Sequence, residues 1–225
     1  MSSEAFSVKI FKFDPSIDAT PYYKEFLIET GTGQSVLDLL KEIYRNHDSD
    51  ISFRFSCRLG KCGVCAVRVN GKPVLACQTT VENGDVVIEP LKGFPVIKDL
   101  IVERETYRDR LKSARPYPDR ADRSGGSSVQ KLWADPNASP FLCTDCLACM
   151  SSCKALSRIP WEFPGPAFFT NLARWHYHPL DRSDRPALAI RSGISHCTAC
   201  KSCSKVCPKG IDVYKEAIEA LEKKP

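Results

Sequence analysis

No run of about 18 or more apolar residues occurs anywhere in the chain, so nothing in it reads as a membrane-spanning helix. The opening stretch MSSEAFSVKIFKF lacks a basic start and an apolar run ending in small residues. That excludes a secretory leader of the usual form and sets the expectation of a cytoplasmic protein. There is no glycine-rich phosphate loop at a strand–helix junction, so no flavin or nucleotide site is expected on this chain. Carboxylates form no acid/base pair. The four histidines, His47, His176, His178 and His196, have no cysteine partner at haem or Rieske spacing, so they read as surface or packing residues, with His196 the one nearest a cysteine run. Trp133, Trp161 and Trp175 read as core.

Cysteine, by contrast, is abundant: twelve in 225 residues. In a reducing compartment disulfides are a poor account of so many thiols, and metal binding is the better one. The formal charge of +5 would fit nucleic acid, but no nucleic-acid motif accompanies it. Three iron–sulfur clusters would change the balance, because twelve thiolates and three cores of about +2 each bring the total to about −1. The Lys/Arg excess then compensates buried anions, and no nucleic-acid partner is expected.

The first hundred residues read as α/β. FSVKIFKF (Phe6–Phe13) alternates as a half-buried strand does, and YKEFLIET (Tyr23–Thr30) reads as its partner. SVLDLLKEIYRN (Ser35–Asn46) places Val36, Leu39, Leu40, Ile43 and Tyr44 on one helical face. VCAVRVNGKPVLAC (Val64–Cys77) is a hairpin whose Asn70–Gly71 pair suits a type I′ turn, and DVVIEPL (Asp85–Leu91) is a last strand. Beyond residue 114 no strand signal is convincing. GPAFFTNLARWHY carries Phe168, Phe169, Leu172 and Trp175 at helical spacing, and DVYKEAIEALEKK begins with Asp212 as an N-cap. RPYPDRADRSGGSS (Arg115–Ser128) has linker or surface-loop composition. The expected fold class is α+β: an N-terminal [2Fe-2S] domain over 1–105, resembling the β-grasp of plant-type ferredoxins, then an all-α domain over 106–225 with two clusters.

Cys57, Cys62 and Cys65 sit in CRLGKCGVC, with Cys77 supplied by the far strand of the hairpin. That C-x4-C-x2-C spacing with a distant fourth cysteine matches plant-type [2Fe-2S] proteins. Gly60 and Gly63 would let the loop turn its N–H groups toward anionic sulfur. CTDCLACMSSC and CTACKSCSKVC repeat one pattern, C-x2-C-x2-C-x3-C, and the second copy is followed by Pro208. In bacterial two-cluster ferredoxins the fourth cysteine of each such run ligates the other cluster. Cys143, Cys146, Cys149 and Cys207 are therefore expected on one [4Fe-4S] cluster, and Cys153, Cys197, Cys200 and Cys203 on a second. Zinc is the competing reading for each set, although zinc sites favour separated C-x2-4-C pairs. No cysteine is left for catalysis, so no catalytic residue is expected here.

These three motifs, in this order and at this length, resemble the iron–sulfur subunit of the succinate dehydrogenase/fumarate reductase family. The resemblance implies a non-catalytic electron-transfer subunit of an oxidoreductase, docked on a flavoprotein subunit that carries FAD. It implies a further partner, either a membrane anchor with quinone or a cysteine-rich thiol/disulfide-type subunit, and a peripheral place on the cytoplasmic face of the membrane. Cys200 is a departure: most family members lack cysteine there and carry [3Fe-4S], so a second [4Fe-4S] cluster is expected. Lys154 stands where members with a conventional quinone pocket tend to have proline, Ser157 and Arg158 where tryptophan is placed, and Thr198 where histidine is common. Alternatives are the same kind of subunit in another flavin-dependent reductase or dehydrogenase, or a free-standing ferredoxin-like carrier.

Overall fold

The computed structural model describes residues 6–29, 33–81, 84–119, 136–160 and 162–222. Two compact units emerge: Met1–Glu103 with Thr144–Ser151, and Arg104–Cys143 with Ser152–Pro225. The fold is α+β, with the sheet confined to the first unit.

In the first unit, β1 (Phe6–Lys12), β2 (Tyr22–Ile28), β3 (Ala66–Val69), β4 (Lys72–Leu75) and β5 (Val86–Glu89) form a mixed sheet of order β2-β1-β5-β3-β4. β1 and β5 run parallel and every other pair is antiparallel. Helix α1 (Val36–Asn46) supplies the other half of a β-grasp core. Its Val36, Leu37, Leu39, Leu40 and Ile43 are buried, as are Val8 and Ile10 of β1 and Ile88 of β5. Tyr44, expected on this face, is instead exposed at the rim and meets Phe53 edge-on, and Leu37 is buried in its stead. The hydrophobic stripe is wider than the i, i+3, i+4 pattern implied, because the segment after β4, with Ala76 and Thr79, lies against the first turn. The helix begins on Ser35, whose hydroxyl accepts the Asp38 N–H at 3.1 Å. Val36 and Leu37 N–H groups donate to Thr79 and Ala76 carbonyls, so the segment around Cys77 is tied to the start of α1.

The hairpin turns at Asn70 (φ 48°) and Gly71 (φ 78°), as a type I′ turn requires. A two-stranded ribbon, β6 (Val96–Lys98) with β7 (Ile101–Val102), was not foreseen, since strands this short carry no readable alternation. Its turn holds Asp99, which is 1% exposed and accepts from Phe13 N–H, Ser52 N–H and Lys12 Nζ. Lys12, 4% exposed, ends the buried row of β1, and its ammonium lies 3.0 Å from Asp99. Burial opposes the Lys12 charge, but Asp99, Asp48 and Asp50 outweigh it and raise its pKa.

The second unit carries helices and no strand among its described residues. It comprises α2 (Glu105–Ser113), a 3-10 segment (Pro136–Leu142), the helices Pro166–His176 and Arg185–Arg191, and a C-terminal helix. Phe163, Phe168, Phe169, Leu172, Ile218 and Leu221 form the buried centre. Trp175 packs edge-on against Phe141, while Trp133, Trp161 and most of the linker-like stretch (120–128) lie outside the described residues. Asp212 Oδ1 accepts the Lys215 N–H at 3.1 Å, as an N-terminal cap should. The helix then winds wide, as a π-helix over Tyr214–Glu219, before returning to α over Ala220–Glu222. Arg185, fully buried, donates to both Asp181 oxygens and to the carbonyls of Ala114, Arg115 and Tyr117. It fixes the exit of α2 against the Arg185–Arg191 helix.

Asp99→Ala strips a buried ammonium and two buried N–H groups of their acceptor, and is expected to cost about 3 kcal/mol. Lys24→Ala, which removes an exposed partner of Asp48, should cost under about 1 kcal/mol. Urea unfolding followed by far-ultraviolet circular dichroism distinguishes the two.

Candidate metal centres

None of the twelve cysteines is in a disulfide. The first set lies on the irregular segment between α1 and β3, closed by the end of the hairpin. Cys57 Sγ accepts three backbone N–H groups, from Leu59 at 3.4 Å and from Lys61 and Cys62 at 3.3 Å. The chain can aim them at one sulfur because Arg58 (φ 56°), Gly60 (φ 66°) and Gly63 (φ 69°) take left-handed conformations. These donors, Leu59 first, with the Cys62 side chain, bring the Cys57 thiol down to about 6. Burial pushes Cys65 up to about 11, with Cys77 and Cys62 close enough to repel its thiolate. Ala76 N–H donates to the Cys65 carbonyl, which sets Cys77 beside Cys65. The four thiols expected to act together are thus gathered.

Gly63 is fixed by more than its φ. A Cβ there would stand 2.6 Å from the Thr144 carbonyl and 2.9 Å from Cys146 Cα. Only glycine fits between the two cysteine-bearing segments at this point.

The two copies of the repeat share one backbone design. Asp145 (φ 50°) and Leu147 (φ 66°) flank Cys146, and Ala199 (φ 51°) and Lys201 (φ 56°) flank Cys200. Each loop runs into a short helix, Ala148–Ser151 or Ser202–Lys205. Left-handed residues on both sides of the second cysteine alternate the direction of successive N–H groups and build a concave donor surface for anions. This duplication of conformation was legible only as a duplication of spacing.

Cys153, Cys197, Cys200 and Cys203 belong to the second unit and lie within electrostatic reach of one another. Leu156 N–H donates to Cys153 Sγ at 3.4 Å. Burial pushes Cys203 up to about 12, and also raises Cys153 and Cys197. Cys200 goes the other way: burial opposes its ionisation, but the Ser202 hydroxyl and N–H, the Thr198 hydroxyl and the Lys154 charge bring it down to about 7. Its sulfur lies 3.4 Å from Ser202 Oγ, and it is the exposed member of the set. Sequence reasoning marks Thr198 and Lys154 only as departures from a family pattern. Their position around Cys200 is what the fold adds.

Of the remaining set, Cys146 and Cys149 fall in the first unit and Cys143 and Cys207 in the second. Arg174 supports Cys143 by donating to its carbonyl at 2.9 Å, a contact with no sequence signal. Thr144 Oγ1 is buried without a protein partner, whereas its repeat counterpart Thr198 serves Cys200. The histidines are structural: His178 packs on Phe141 and Trp175, His47 on Phe26, His176 on Tyr177, and His196 faces Glu162 at 3.5 Å.

The donor chemistry fits iron–sulfur clusters. The two gathered sets are pure thiol, with N–H and hydroxyl donors turned toward sulfur, as a group carrying net negative charge requires. Among the described residues no group of three or more Cys, His, Asp or Glu side chains closes on a point sized for one metal ion.

Residues 7–109 match the 2Fe-2S iron-sulfur cluster binding domain, and residues 139–211 match the 4Fe-4S dicluster domain. The fumarate reductase iron-sulfur subunit of Mycobacterium tuberculosis is 31% identical over 215 residues, covering 91% of this chain and 87% of that one. The chain belongs to the succinate dehydrogenase/fumarate reductase iron–sulfur subunit family. It is accordingly a [2Fe-2S] and [4Fe-4S] protein. Another relative, a subunit of the fumarate reductase (CoM/CoB) of Methanothermobacter marburgensis, is 35% identical over 218 residues, 96% of this chain. This chain spans only 43% of that relative's length. The family fold is also seen in a chain of the Mycobacterium smegmatis Sdh1 complex in the apo form, with a TM-score of 0.82 over 98% of this chain and 95% of that one, at 24% identity.

Gly63→Ala should cost about 2 kcal/mol or more and lower the visible absorbance of the [2Fe-2S] centre, because the clash adds to the strain of a positive φ. Gly93→Ala, also at positive φ (86°) but facing open space, should keep the absorbance.

Proposed function

We propose that this chain is the electron-relay subunit of a succinate dehydrogenase/fumarate reductase-type complex. It would carry single electrons between a flavoprotein subunit bearing FAD and a terminal partner. The observation that carries the reading is that two gathered thiol sets, each supported by inward donors, stand on the frame of an iron–sulfur subunit family. Cys57, Cys62, Cys65 and Cys77 hold the [2Fe-2S] cluster. Cys143, Cys146, Cys149 and Cys207 hold one [4Fe-4S] cluster, and Cys153, Cys197, Cys200 and Cys203 the second.

When bound, such clusters supply reversible one-electron exchange, with potentials set by charge, hydrogen bonds and exposure. The chain's own residues do the tuning. Leu59, Lys61 and Cys62 N–H groups lower the cost of negative charge on Cys57. Thr198 and Ser202 do the same at Cys200, and the nearby Lys154 adds a positive charge. Burial of Cys65 and Cys203 excludes water from the inner side of each set. The bond-making chemistry is left to the flavoprotein. The terminal partner is a membrane anchor with quinone or a cysteine-rich subunit, and the complex is peripheral on the cytoplasmic face of the membrane. No described helix is long and apolar enough to cross a bilayer.

Electron paramagnetic resonance of the anaerobically prepared protein tests the ligand sets. The expected result is reduced-state signals from one [2Fe-2S] and two [4Fe-4S] centres, with no oxidised three-iron signal. Cys200→Ser should convert or destabilise the terminal centre alone. Equal loss of all three centres, or a strong three-iron signal before mutation, contradicts the assignment.

A further inference from the structure

The surface around Cys200 carries charges that no contact within the protein accounts for. Thr198, Ala199, Cys200 and Lys201 are all exposed, so one edge of the terminal thiol set faces solvent. Lys154, exposed, is close enough to Cys200 to favour its thiolate. Lys205 is exposed one helical turn beyond Lys201, and Arg158 is exposed on the segment that wraps Cys153. Among the described residues, none of Lys154, Arg158 and Lys205 has an ion-pair partner.

Asp212 and Glu162, two acids of the neighbourhood, have partners of their own. Asp212 accepts from Ser204 Oγ at 2.7 Å and from Lys215 N–H, and its charge also reaches Lys201. Glu162 faces His196, and the charge of the exposed Glu222 is felt at Cys197. Lys201 sits 5.3 Å over the Tyr214 ring, which holds its stem in place while the residue stays exposed.

We infer that this basic face, Lys154, Arg158, Lys201 and Lys205 around Cys200, receives an acidic protein surface on the terminal redox partner. The inference rests on the proposal that Cys200 belongs to the terminal set. An anionic cluster at an exposed edge would repel an acidic partner, and the exposed cations beside it, three of them without ion-pair partners, reverse the local potential and steer the encounter. A lipid surface fits less well. Among the described residues of this unit the exposed large apolar side chains are Tyr117, Leu142 and Ile190, and none lies in 153–158 or 196–209. Basic charge without an apolar anchor holds a protein weakly to a bilayer.

The test uses the full chain, reconstituted anaerobically, with poly-L-glutamate as probe. Binding is followed by fluorescence anisotropy of the labelled polymer between about 50 and about 300 mM salt, a range over which surface charge interactions are increasingly screened. Lys154→Glu/Lys205→Glu should weaken binding about tenfold at low salt and flatten its salt dependence. Lys9→Glu/Lys72→Glu, an equal charge change at exposed positions of the first unit, should leave it nearly intact. Vesicles of phosphatidylcholine and phosphatidylglycerol in equal parts should not compete. Equal loss in both double variants, no binding of the polymer, or vesicle binding as tight as polymer binding would overturn the inference. Resonance spectra of the same samples keep the two questions apart: a three-iron terminal signal defeats the Cys200 ligand assignment without altering what the polymer reads.

Discussion

Everything in this protein depends on holding negative charge on sulfur inside a folded chain. A thiolate in a low-dielectric setting is costly unless hydrogen-bond donors or cations face it. The chain meets that demand with backbone N–H groups, which are always present and need only be aimed. Aiming them takes left-handed turns, and such turns fall beside the cysteines: Arg58, Gly60 and Gly63 around the first set, Asp145 and Leu147 around Cys146, Ala199 and Lys201 around Cys200. Five of these seven are not glycine. Side chains in that conformation carry strain, and the bound cluster is what makes such a loop worth keeping.

The supporting fold is arranged around those loops. In the first unit the sheet and α1 make the core, and the first N–H groups of α1 grip the carbonyls next to Cys77. The Lys12–Asp99 pair pins the end of β1 to the β6–β7 turn and to Ser52, a few residues before Cys57. In the second unit the aromatic centre around Phe163, Phe168 and Phe169 carries the helices, and Arg185 locks the exit of α2. Each unit thus has a rigid body from which an irregular cysteine loop projects, and precise placement of ligands follows from the rigidity of what they hang on.

The gradient of burial within each set has a functional sense. Cys65 and Cys203 are buried, which disfavours water at sulfur and raises the cost of charge there, while Cys57 and Cys200 sit toward the outside among donors. Charge is therefore easiest to accommodate at the outer member of each of these two sets. At Cys200 two hydroxyls, one main-chain N–H and the charge of a lysine act, where Cys57 relies mostly on main-chain N–H groups. The outer members of the two sets are therefore stabilised by different kinds of group.

Much of this was legible in the residues alone. The alternation of Phe6–Phe13, the helical stripe of α1 and the Asn70–Gly71 turn are local patterns, and local sterics and hydrophobic periodicity suffice to read them. The spacing of twelve cysteines named the cofactor class for the same reason, since ligand separation along a chain limits what it can wrap. Tyr44, the β6–β7 ribbon and the wide C-terminal helical turn were not legible, because each depends on what packs alongside. Nor could the sequence say that Arg174 would brace Cys143, that Asp99 would accept the Lys12 charge, or that Lys154, Thr198 and Ser202 would meet at Cys200. Those contacts join residues up to 87 positions apart, and only the folded chain brings them within the few ångströms at which charge and hydrogen bonding act.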